Sequence, residues 1–236
     1  MPTPRPTDRP PVPRWALVSA LAAPVGMIGG WTLAAAVQDD FDPVRETISA
    51  LAAADVTAPW IMTAGLALTG VAHVVTAAGL RPLPRLARTL HAVGGLATLA
   101  VAALPVDAFS HPHGVAAGIG FGALALWPAA AWRPGAVGVR RRAVALGAAG
   151  VLTGLLVVFV AELQGVTPDG GAATGLTERL VAGAQALWPF VVVVALRREV
   201  VRDVRDGTDE DRRAVPGRPV LRRRGPRGAR VRSTPR

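Results

Sequence analysis

Read for its run of hydrophobic and polar positions, the chain falls into six apolar blocks joined by short polar connections. The blocks are Trp15–Val37, Trp60–Leu80, Thr89–Leu104, His113–Trp132, Ala143–Leu163 and Leu180–Leu196. None alternates with the two-residue period of a half-buried strand. A helix needs about 20 apolar residues to cross roughly 30 Å of hydrocarbon. In lipid its backbone groups must also be paired within the segment. The pattern predicts an all-α fold, a six-transmembrane-helix bundle, with the third and sixth spans the shortest.

Arginine placement orients the bundle. Arg5, Arg9 and Arg14 precede the first span, Arg81, Arg85 and Arg88 follow the second, and Arg133, Arg140, Arg141 and Arg142 follow the fourth. Fourteen more lie after Leu196, so 24 of 26 fall on one side if there are six spans. Only Arg45 and Arg179 fall on the other side. Cytoplasmic loops carry the excess of basic residues, so both termini are expected in the cytoplasm, and the protein in the cell inner (plasma) membrane. Trp15, Trp60 and Trp132 stand at block ends, where an aromatic belt would sit. The first block reads as a retained span, its apolar run being too long for a signal-peptide core.

Composition sharpens this picture. The chain has 236 residues, 51% of them hydrophobic, and no cysteine, which excludes disulfides and thiolate chemistry. Every basic residue is Arg, and the formal net charge is +10. Because that charge is concentrated outside the apolar blocks, it points to the bilayer and to anionic inner-leaflet lipids, with no specific nucleic-acid partner. Residues 1–14 read as a disordered leader, 15–196 as the membrane domain, and 197–236 as an Arg-rich tail. About a dozen tail residues are expected to prolong the last helix, and the rest has too little apolar surface to build a core.

Gly114, Gly118 and Gly122 repeat at four-residue spacing in the fourth block, as do Gly150 and Gly154 in the fifth. Such stripes let membrane helices approach closely. Pro128 and Pro189 are expected to kink their helices. No internal repeat of the inverted-transporter kind is visible.

The orientation places three polar connections outside. The first contains "DPVRETISAL". Asp42 followed by Pro43 is a helix-start signal, and Val44, Ile48 and Leu51 then form one apolar stripe. A short amphipathic helix over the mouth of the bundle is expected there, with Arg45 and Ser49 on another face. The second connection carries Asp107, His111 and His113. The third carries Glu162, Asp169, Glu178 and Arg179. Three readings compete for this set. Asp107, His111 and His113 could ligate a metal that activates water for hydrolysis, although no HExxH or GxSxG motif accompanies them. The set could bind a lipid head group or small ligand, with Arg45 or Arg179 taking a phosphate or carboxylate. Or the residues could be caps and interloop ties. No cofactor is expected.

His73 lies deep in the second block, where a hydrogen bond to a neighbouring helix is expected. A proton relay would need a carboxylate at matching depth, and no span core supplies one. His91 is expected to be hydrated near the inner interface.

"FDPVRETISALA", "ALPVDAFSHPHGVAAG" and "GLTERL", in that order, resemble the membrane-protein family called domain of unknown function 998. The resemblance covers roughly Trp15 to Leu196. It implies a small polytopic membrane protein and no established activity. Its motif positions correspond here to Asp42, Ser49, Asp107, His113, Glu178 and Arg179. The resulting expectation is a binding or accessory membrane protein with an external polar site, the alternative being a membrane-embedded hydrolase that uses the Asp/His/Ser set.

Overall fold

The computed structural model describes residues 12–214, with side chains through residue 202. Most of the expected leader, and tail residues 215–236, lie outside these residues. The helices are α1 (Arg14–Ala36), α2 (Trp60–Gly79), α3 (Arg85–Ala103), α4 (Ser110–Ala130), α5 (Arg142–Leu163) and α6 (Thr174–Ala214). All six are long and apolar enough to cross a membrane. Each packs against its neighbours in sequence, and α6 closes back on α1, so the bundle is a ring. One end carries the connections after α1, α3 and α5. We call it the capped end, and the opposite end the arginine end.

Each block became a helix because a continuous apolar segment can pair its backbone only by coiling on itself. α3 begins at Arg85 and α6 at Thr174, earlier than the apolar blocks alone indicate, and α6 runs on to Ala214. Helices continue through Pro24, Pro128 and Pro189. Val12 is buried with Ala16, Leu80 and Leu196, and its carbonyl accepts from Arg197 Nη1 at 2.6 Å.

The close helix approaches are not at the expected glycine stripes. A methyl group at Gly114, Gly118, Gly122, Gly150 or Gly154 would meet nothing within 4 Å, so those stripes face away from the bundle. The tight crossings use other glycines. A methyl at Gly65 would lie 2.6 Å from the Gly26 carbonyl, and one at Gly95 would lie 2.7 Å from that of Gly70. These glycines bring α1 against α2 and α2 against α3.

The core has two parts. Leu80, Leu83, Leu124, Trp127 and Val193 fill the arginine end, while Met27, Ile48, Leu51, Met62 and Leu66 fill the capped end. Arg140 and Glu199 form an ion pair at 2.8 Å between the α4–α5 connection and α6.

Candidate functional site

The connection after α1 closes the capped end, but not as the continuous amphipathic helix expected from its stripe. Asp42 does begin a turn: its Oδ1 accepts from the Val44 amide at 2.9 Å, and its carbonyl accepts from Glu46 at 2.8 Å. A four-residue 3₁₀ turn then follows at Ser49–Ala52. Between them α6 intervenes. An α-helix would bond the Ile48 amide to the Val44 carbonyl. Here the Val44 carbonyl accepts from the Leu176 amide at 3.0 Å, and the Ile48 amide donates to Glu178 Oε2 at 2.5 Å. Arg179 Nη1 occupies the carbonyls of Pro43 and Glu46, at 2.9 and 2.8 Å. Tertiary partners take the backbone groups that a local helix needs. The apolar stripe is split accordingly: Ile48 and Leu51 are buried, while Val44 is exposed.

The other two connections hold the same cap. Both Asp107 carboxylate oxygens accept from the Ala54 amide at 3.2 Å. His113, at the start of α4, is buried between the Leu104 carbonyl, 2.7 Å from Nδ1, and Ser49 Oγ, 2.9 Å from Nε2. A carbonyl only accepts, so Nδ1 carries the proton, and Nε2 accepts from the serine hydroxyl. At the near edge Gln38 clamps Thr57 through its amide oxygen and nitrogen. Glu162 Oε2 accepts from the Ala173 amide at 2.9 Å and so fastens the α5–α6 connection.

Of the sequence-derived set, Ser49, Asp107, His113, Glu178 and Arg179 therefore converge on one segment, and Asp42 shapes its turn. Arg45 does not join them. Its side chain is 71% exposed and reaches only Asp42, at 3.5 Å. His111 is exposed, apart from buried His113, whose two ring nitrogens are already engaged. Among the described residues no group of three His, Asp or Glu could hold a metal ion.

Beneath the cap lies a cavity of about 50 Å³. Its polar lining is Ser49, Glu178, Gln185, Thr98 and His73, and its apolar lining includes Met27, Leu66, Phe121 and Leu124. Gln185 donates to the Phe121 carbonyl at 2.9 Å. Neither Gln185 nor Thr98 stood out in the sequence, since each is a lone polar residue in an apolar run. Only the meeting of α3, α4 and α6 brings them to one space. His91 is not hydrated as expected. It is fully buried, its Nε2 is 2.9 Å from His73 Nδ1, and its ring stacks on Trp127 at 4.7 Å.

These features define a class: a polytopic helical membrane protein whose bundle is stoppered at one end by a polar-pinned loop over a small internal cavity. Over residues 20–195 the chain matches the family described as "Protein of unknown function (DUF998)", and it belongs to that family. No curated protein and no solved structure matches it.

Proposed function

We propose that this is a binding protein of the plasma membrane, its capped end facing outward, whose cavity receives a primary ammonium group. The group would belong to a small amine or to a lipid head group. The observation that carries this reading is Glu178. Its carboxyl is buried on the cavity wall, and no ion pair among the described residues involves it. A buried carboxylate is costly unless a cation or donors satisfy it. The Ile48 amide supplies one donor, and an ammonium would supply charge and three more. An anionic ligand finds less support. Arg179 does not line the cavity: its Nη1 is committed to backbone carbonyls and its Nη2 is buried without a partner, while Arg45 points to solvent beside Asp42. Size also selects. Pockets for whole drug-sized ligands span roughly 300–1,000 Å³, whereas about 50 Å³ admits only a group the size of a few waters.

The test is thermal melting of the purified full chain in detergent with methylammonium or tetramethylammonium at equal concentration, alongside native mass spectrometry with phosphatidylethanolamine. Methylammonium should raise the midpoint of the wild type and not that of Glu178→Gln, and tetramethylammonium should do neither. Retention of phosphatidylethanolamine without a methylammonium shift would identify the lipid as the source. Equal shifts with both ions, or no shift and no retained lipid, would reject the reading.

A second reading rests on Ser49 and His113. A hydroxyl donating to an imidazole whose other nitrogen is fixed by a third group is the arrangement of an activated nucleophile. Asp107 bonds Ala54 and does not extend the pair to a triad. Fluorophosphonate labelling of Ser49 that is lost in His113→Gln would support this hydrolase reading, and no labelling of the folded protein would dismiss it.

A further inference from the structure

We propose that the cavity is a one-ended proton path, with Glu178 at its mouth and the His73–His91 pair at its blind end holding a single shared proton. The sequence places no carboxylate within the span cores, which argues against a relay. The fold changes that, because Glu178 and His73 line the same cavity. With a rise of 1.5 Å per residue, Glu178 lies about 6 Å along α6 and His73 about 20 Å along α2, both counted from the capped end. The cavity has room for a few waters, and Ser49, Thr98 and Gln185 offer them partners.

The pair can take a proton from the cavity in one of its two tautomeric arrangements, the one with the bridging proton on His73 Nδ1. Each neutral imidazole has one donor and one acceptor nitrogen. The 2.9 Å contact between His73 Nδ1 and His91 Nε2 uses one of each. That leaves His73 Nε2 on the ring that lines the cavity, and His91 Nδ1 beyond it, buried without a partner. Glu178, protonated from bulk water, passes its proton through cavity water to His73 Nε2 and is left as the carboxylate, ready to be protonated again. The bridging proton can then shift toward His91. The net change is one proton added to a neutral pair, with only O–H and N–H bonds made or broken. Two adjacent imidazolium rings would repel, so the pair holds one.

The path stops there. Trp127 stacks on His91, and an indole N–H donates but cannot accept, so it cannot relay. Behind it lie Leu80, Leu83 and Val193. Among residues lining the cavity, α1, α3, α4 and the 3₁₀ turn contribute no carboxylate, histidine or arginine, and α5 contributes nothing. Arg179 adjoins Glu178 in sequence but spends Nη1 on three carbonyls.

Trp127 supplies the readout, because protonating a stacked imidazole should quench its emission. The experiment is a pH drop on the full chain in nanodiscs, followed by tryptophan fluorescence in a stopped flow. The expected result is a quench that disappears in Trp127→Phe and in His91→Gln. In Glu178→Gln it should keep its final amplitude but develop roughly tenfold or more slowly, because a proton-transfer group is gone from the mouth. A quench unchanged in Trp127→Phe, or an unchanged rate in Glu178→Gln, would overturn the proposal. Should His91→Gln not fold, ¹⁵N-imidazole spectra of the wild type decide. Titration of His73 and His91 together by one proton is expected, and both rings staying neutral until the protein unfolds would be fatal. The path shares the cavity and Glu178 with ammonium binding, but His91 does not line the cavity and so separates the two. His91→Gln should lose the quench and retain the methylammonium shift.

Discussion

The amide of Ile48 donates to the carboxylate of Glu178 at 2.5 Å, across 130 positions of sequence. This bond joins the connection after α1 to the start of α6 and sets the roof of the cavity. It also explains why an amphipathic stripe failed to become a helix. The Ile48 amide cannot serve both Glu178 and Val44, and the Val44 carbonyl is already taken by the Leu176 amide.

Removing the carboxylate should therefore loosen the roof. Glu178→Ala leaves a buried amide unsatisfied and should cost about 2–3 kcal/mol. Glu178→Gln keeps an accepting oxygen and should cost clearly less. Chemical denaturation in detergent micelles, or melting midpoints, would rank the two. Equal losses would mean that the bond is not what holds the segment.

Ser49 and His113 should behave as a coupled pair, and Arg45 as a bystander. Ser49→Ala and His113→Ala should be non-additive, with a coupling of about 1 kcal/mol. Arg45→Ala should stay within about 0.5 kcal/mol of the wild type, as solvent-exposed pairs do. A double-mutant cycle on melting stability measures both. Additivity would show that the 2.9 Å contact carries no energy.

The spans and their number were legible because hydrocarbon imposes one length and one backbone solution, although the starts of α3 and α6 were not. The convergence of Ser49, Asp107, His113, Glu178 and Arg179 was legible too, since an even number of crossings sends their connections to one end. Partners were not. Nothing in "DPVRETISAL" signals that its carbonyls will be taken by Arg179 and by the Leu176 amide. The glycine stripes misled for a similar reason. Periodicity shows that residues share a face, but not which face meets a neighbour.

Glycine substitutions should separate the packed faces from the open ones. Gly95→Ala would drive a methyl to 2.7 Å from the Gly70 carbonyl and should cost about 1–3 kcal/mol. Gly118→Ala meets nothing and should be neutral or slightly stabilising, alanine being the better helix former. Melting of the two purified variants gives the comparison. Destabilisation by Gly118→Ala would place an unseen partner on that face.

Orientation can be read with single cysteines, because the chain has none of its own. Asp55→Cys and Asp169→Cys lie on exposed residues of the capped end, and Val137→Cys on an exposed residue of the arginine end. An impermeant maleimide added to intact cells should label the first two and not the third. Labelling of Val137→Cys alone would invert the bundle.

Amide hydrogen exchange of residues 48–54 in nanodiscs, compared between wild type and Glu178→Ala, tests most directly whether this segment is a pinned roof over the cavity. Slow exchange is expected at Ile48 in the wild type, because its amide donates to the buried carboxyl of Glu178. In Glu178→Ala, exchange at Ile48 should accelerate while α2 and α4 keep their protection. Exchange at Ile48 as fast in the wild type as in an unstructured peptide would contradict it.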